Sequence, residues 1–174
     1  MPLSADDIRA AFSALSQELE RAGERAEIVV AGGAALVMLY EARKSTKDVD
    51  AVFVAPEAAV VRRSAERVAD RLGLPSDWLN DGAKGYFVGI SRGDVLFATS
   101  SLSVRSASIA QLLAMKLAAW RDAVDRSDAK LLLSRLPGDD KDEIWRFVEP
   151  FVSRGDLNKA SYAFDDLWEA LHGT

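Results

Sequence analysis

The stretch from Arg43 to Phe53, "RKSTKDVDAVF", passes from a polar, basic run into an apolar one, and places two aspartates, Asp48 and Asp50, one residue apart at the changeover. On an extended strand alternate side chains share a face, so the two carboxylates would stand about 7 Å apart at the backbone while Val49, Ala51 and Phe53 turn into a core. Two such charges about 6 Å apart repel by about 2–3 kcal/mol at an effective dielectric near 20. A divalent cation held between them converts the repulsion into ligation, and hard oxygen donors at this spacing suit magnesium, or manganese, carrying nucleotide phosphates. For an Asp-x-Asp considered alone, a solvated strand end is the commoner reading.

Upstream, "VVAGGAAL" reads as a strand, the pair Gly32-Gly33 and the start of a helix. Glycines let a phosphate approach the backbone, and a helix N-terminus offers free N–H groups and a favourable dipole. A tight strand-to-helix turn is the plainer use of Gly-Gly. The pattern is neither G-x-G-x-x-G nor a Walker loop, so neither a dinucleotide fold nor a P-loop ATPase is supported. Other chemistries are excluded by inventory. There is no cysteine, and the one histidine is His172; thiolate sites, a cysteine nucleophile and a Ser-His-Asp triad have nothing to be built from. A net charge of -5 gives no broad basic field for nucleic acid. The N-terminus is acidic where a signal peptide is basic, and no segment nears the ~20 apolar residues of a membrane span. The expectation is a soluble, cytoplasmic protein with no membrane partner.

The elements that must position these residues follow from periodicity. Residues 5–22 carry Ile8, Phe12, Leu15 and Leu19 at helical spacing behind a capping Ser4. Strands are expected at "AEIVVA" and "DVDAVFVA", with a helix "AALVMLYEAR" just after the glycines and another between Pro56 and Gly73. "PSDWLNDGAKG" reads as a loop in which Trp78 could cover a ligand. "YFVGIS" and "DVLFATS" read as a hairpin turning at Arg92-Gly93. From Ser108 the pattern is all helical, with Trp120, Trp145 and Trp168 at packing positions. The fold class expected is α+β: a small mixed sheet flanked by helices over 1–105 and a helical C-terminal subdomain over 106–174, forming one compact unit.

Strand, Gly32-Gly33, helix, then Arg43-x-x-Thr46-x-Asp48-Val49-Asp50 on the next strand resembles the nucleotidyltransferase superfamily. The residues between the glycines and the aspartates resemble the branch near the abortive-infection and toxin–antitoxin nucleotidyltransferases, and within it the family designated DUF6036. "WLNDGAKG" and "LLAMKLAAWRDAVDRSDAKLLL" are similar to that family as well. The resemblance covers residues 26–136 well and the rest loosely. It implies a magnesium-dependent transfer of a nucleoside monophosphate from an NTP to a hydroxyl on RNA (a tRNA among them), protein or a small molecule. Gly32 and Gly33 would bind phosphates. Asp48 and Asp50 would hold the metal and align the reacting groups. Arg43 and Thr46 would contact phosphate, or Thr46 would orient the aspartates. Lys116 would contact the triphosphate, with Asp128 completing the polar site; from its own apolar surroundings, Lys116 reads rather as snorkelling to solvent. Many members carry a third carboxylate on a later strand. Here the matching strand, "DVLFATS", has none in its interior, which leaves Asp94 and Asp81 as substitutes. The alternative is an inactive module of this fold that binds a cognate toxin or antitoxin partner.

Overall fold

A computed structural model describes residues 1–173. Helix α1 (Ala5–Arg21) starts at a capping box, in which Ser4 Oγ accepts the Asp7 N–H and the Asp7 carboxylate accepts the Ser4 N–H. Its stripe of Ile8, Phe12, Leu15 and Leu19 is fully buried. Strand β1 (Ala26–Val30) follows, then α2 (Gly32–Tyr40), β2 (Val49–Ala55), α3 (Ala58–Leu72), β3 (Leu79–Asn80), β4 (Arg92–Ala98) and β5 (Leu102–Ala107). The five strands form one mixed sheet in the order β3-β2-β1-β5-β4. β1 runs antiparallel to β2 and parallel to β5; β2 runs parallel to β3. Val49 and Ala51 of β2, Ile28 and Val30 of β1, and Val104 of β5 are all fully buried. Phe12 of α1 packs against Trp78 and against Phe97 of β4.

Four helices make up the C-terminal part: α4 (Ile109–Ala119), α5 (Ala123–Leu133), α6 (Lys141–Val148) and α7 (Leu157–His172). Trp145, Phe164 and Trp168 stack in series along α6 and α7. The chain divides into two compact units. One comprises Met1–Gly85 and Arg92–Ala107; the other comprises Tyr86–Ser91 and the chain from Ser108 onward. Among the described residues no helix is long and apolar enough to cross a membrane.

Two local expectations are corrected. "YFVGIS" is not a strand. Its backbone is claimed by Gln111, a fully buried residue of α4 whose amide accepts the Ser91 N–H and donates to the Gly89 carbonyl. The hairpin instead joins β4 to β5 and turns at Thr99–Ser101, where Thr99 Oγ1 accepts the N–H groups of Ser101 and Leu102. β5 escaped notice because Ser103, Arg105 and Ser106 break its apolar pattern. Trp78, expected as a cover for a ligand, is fully buried and donates its indole N–H to the Ala65 carbonyl at 3.0 Å.

Candidate functional site

Ala31 links β1 to α2, and its N–H donates to the Asp50 carbonyl at 2.9 Å, so the start of α2 and the aspartate strand are fastened at one point. Gly32 turns the chain into the helix with φ +63°, a backbone region that disfavours any side chain. A Cβ there would stand 3.3 Å from Asp50 Oδ2. A Cβ on Gly33 would stand 2.8 Å from Thr46 Oγ1 and 3.2 Å from the Arg43 guanidinium. The two glycines are therefore what allows Asp50, Thr46 and Arg43 to close on the first turn of α2. No side chain caps that turn, which leaves its first N–H groups without a side-chain acceptor. Thr46 is itself fixed: its backbone pairs in both directions with Leu3, and its hydroxyl donates to the Asp48 carbonyl at 3.2 Å.

Asp48 and Asp50 are both half-buried. Among the described residues neither is ion-paired with a lysine or arginine. Burial, and next the charge of Asp48, push the Asp50 carboxyl above its ordinary value, which the Asn80 amide partly offsets. Neighbouring β3 places Asn80 in register with Asp50. Sequence reading missed Asn80, because a strand of two residues has no period to detect.

The two substitutes considered for a third carboxylate have other surroundings. Asp81 is paired with Arg62 at 2.5 Å. Asp94 is exposed on β4, three strands from β2 in the sheet order, or about 14 Å at the usual strand spacing. The strand beside β1 on the far side from β2 is β5, "LSVRSA", which carries Arg105 and no acid. Among the described residues no cluster of three or more His, Cys, Asp or Glu side chains could hold a metal. The donors suited to magnesium are thus a pair of carboxylates, which fits a cation whose remaining ligands come from phosphates and water.

Lys116 and Asp128 lie in the helical unit, with an arrangement of their own. Lys116 does not snorkel. Its ammonium sits between Asp125 at 2.9 Å and Asp128 at 2.8 Å, and its side chain is 13% exposed. Asp125, which sequence reading passed over, also accepts the Arg121 backbone N–H and its Nε–H, each at 3.1 Å. Burial works against the Asp125 charge, but the hydrogen bonds from Lys116 and Arg121 outweigh it and bring the pKa down to about 2. The turn that makes this possible has Trp120 in the left-handed region at φ 37° and Asp122 capping α5. Arg126 covers the Trp120 ring at 5.4 Å.

The sequence model of one protein family, described as a nucleotidyltransferase of unknown function (DUF6036), matches residues 7–131. The chain belongs to the DUF6036 nucleotidyltransferase family. The matched span of this DUF6036 protein takes in the glycine pair, both aspartates, Asn80 and the Lys116–Asp125–Asp128 cluster. No curated protein and no solved structure shows a significant match to the chain.

Proposed function

We propose that the protein transfers a nucleoside monophosphate from an NTP to a hydroxyl acceptor at the Asp48–Asp50 site, with magnesium. The observation that carries this reading is the half-buried aspartate pair, without a lysine or arginine ion pair among the described residues, beside the uncapped first turn of α2 and two glycines where a Cβ would crowd Asp50 and Thr46. Gly32, Gly33 and the α2 N–H groups would receive phosphate oxygens, as they would any anion. Arg43 would add a charged donor at the same place. Asp48 and Asp50 would hold the metal, which when bound supplies charge neutralisation at the phosphate and polarises the attacking hydroxyl. Thr46 would fix the Asp48 backbone.

A small or terminal acceptor suits the charge distribution better than a long nucleic acid. Of the cations that could make a basic mouth, Arg92 is paired with Glu27 and Lys116 with two aspartates. A second reading, a nucleotidyltransferase-fold module that binds a toxin or antitoxin partner without catalysis, is favoured by the absence of an acid on β5. Calorimetry with each NTP and magnesium, on wild type and on Asp48→Ala/Asp50→Ala, decides between them. Magnesium-dependent binding lost in the double variant supports the transferase; no binding of any NTP by wild type supports the module.

A further inference from the structure

Asn80 is in parallel register with Asp50, as Leu79 is with Val49. Residues in register share a face of the sheet, and neighbouring strands lie about 4.8 Å apart. Leu79 and Val49 are both buried in the core, so Asn80 and Asp50 both stand on the other face. The register therefore sets the Asn80 side-chain amide beside the Asp50 carboxylate. Its oxygen is committed elsewhere: it accepts the Gly82 N–H at 2.9 Å. That tether depends on Gly82, where a Cβ would stand only 2.9 Å from the same oxygen. The amide oxygen is thereby held to the turn; the nitrogen donates one hydrogen to the Asp77 carbonyl at 3.4 Å and has a second to offer Asp50. Of the two nearby acids in the sequence, Asp81 is paired with Arg62 and Asp94 lies on the far sheet edge.

We propose that Asn80 is the third member of the site, a neutral group that positions the Asp50 carboxylate and keeps the metal position at two negative charges instead of three. The inference rests on the nucleotidyltransferase reading of this site and deepens it. Affinity for a hard divalent cation scales with the number of charged oxygen ligands. A two-charge site binds the free cation weakly and acquires it together with the NTP, whose phosphates contribute the missing negative ligands. Asn80 is a positioning residue here: its amide acts on Asp50 and does not itself touch the reacting atoms.

The geometry makes the test sharp. Asn80→Asp is isosteric; one oxygen keeps the Gly82 N–H, and the other replaces the nitrogen on the Asp50 side, giving up its 3.4 Å hydrogen bond to the Asp77 carbonyl. Free Mn2+ is titrated by calorimetry and electron paramagnetic resonance into the full chain, wild type and Asn80→Asp, with Asn80→Asp/Asp50→Asn as control. Melting is followed in chelator and in Mn2+. Asn80→Asp is expected to bind free Mn2+ at least about tenfold tighter than wild type, the gain vanishing in the control. Wild type is expected to reach comparable affinity only with α,β-methylene NTP analogues present. Should Asn80→Asp be unfolded in chelator, recovery of its fold by Mn2+ supports the assignment, and failure to recover overturns it. Unchanged Mn2+ affinity in a folded Asn80→Asp also overturns it, as does tight nucleotide-free binding by wild type. The transferase reading fails on a different observation, namely wild type taking no Mn2+ even with the analogues; the nucleotide-free gain in Asn80→Asp is independent of that.

Discussion

Two groups of aspartates in this protein have opposite electrostatic fates. In the helical unit, Asp125 and Asp128 enclose Lys116, Arg121 adds a second cation, and the Asp125 carboxyl is held down at about 2. In the sheet unit, Asp48 and Asp50 have no lysine or arginine ion pair among the described residues, and burial and the Asp48 charge push Asp50 up. The first group has its charge neutralised by the fold. The second keeps a charge deficit that folding alone makes unfavourable, and that deficit is what a cation and a phosphate would relieve. The family resemblance groups Asp48, Asp50, Lys116 and Asp128 as one polar site; Lys116 and Asp128 are paired with each other, while neither Asp48 nor Asp50 is ion-paired with a lysine or arginine among the described residues.

Substitution should break the symmetry most strongly in function. Asp48→Asn and Asp50→Asn should each lower nucleotidyl transfer at least about a hundredfold, roughly 3 kcal/mol of barrier, measured as label transferred from NTP in magnesium. Stability should then move in opposite directions. Asp125→Ala leaves the buried Lys116 with Asp128 alone and should cost about 3 kcal/mol in chemical denaturation. Asp50→Asn removes a repulsion and should stabilise the metal-free protein by up to about 1 kcal/mol.

The pH dependence sharpens the same contrast. Asp125 has a depressed folded-state pKa, so its contribution is present above 3.8 and is lost as pH falls toward about 2. Asp50 has a raised one, so its protonation favours folding and that favour is lost as pH rises through the raised value above 3.8. Melting across pH 2–6 should therefore lose its acid slope in Asp125→Asn and its opposing slope in Asp50→Asn.

Smaller effects should come from the glycines and Thr46. Gly33→Ala would place a Cβ 2.8 Å from Thr46 Oγ1, and should weaken NTP binding about tenfold, about 1.4 kcal/mol. Thr46→Val should cost about 1 kcal/mol of stability by deleting the hydrogen bond to Asp48, and Thr46→Ser should restore it.

What was legible in the sequence divides along physical lines. Gly32-Gly33 and Asp48/Asp50 announce themselves because residue type and spacing are the chemistry, and the helix–strand–helix frame around them has strong periods. Asn80 was hidden because its strand is two residues long and is recruited by β2 through space. Asp125 was passed over for a similar reason. It and Asp128 both lie on α5 and both meet Lys116, across the left-handed turn at Trp120, a conformation that sequence pattern does not anticipate. The "YFVGIS" segment looked like a strand because its apolar residues are real; what decides its backbone is one glutamine twenty residues further along.

That glutamine also bears on how the protein can be taken apart. The chain leaves the sheet unit at Gly85, returns at Arg92 and leaves again after Ala107, so the excursion between lies inside the sheet unit's own span of sequence. A fragment ending at Ala107 would retain Tyr86–Ser91 but lose Gln111, stranding the Val88–Ser91 backbone without the hydrogen bonds that hold it. Conversely, a fragment beginning at Ser108 would present a buried amide with nothing to bind. Neither half can be produced intact by a single cut, and a swap of C-terminal regions between relatives would have to carry the excursion along with its distant anchor.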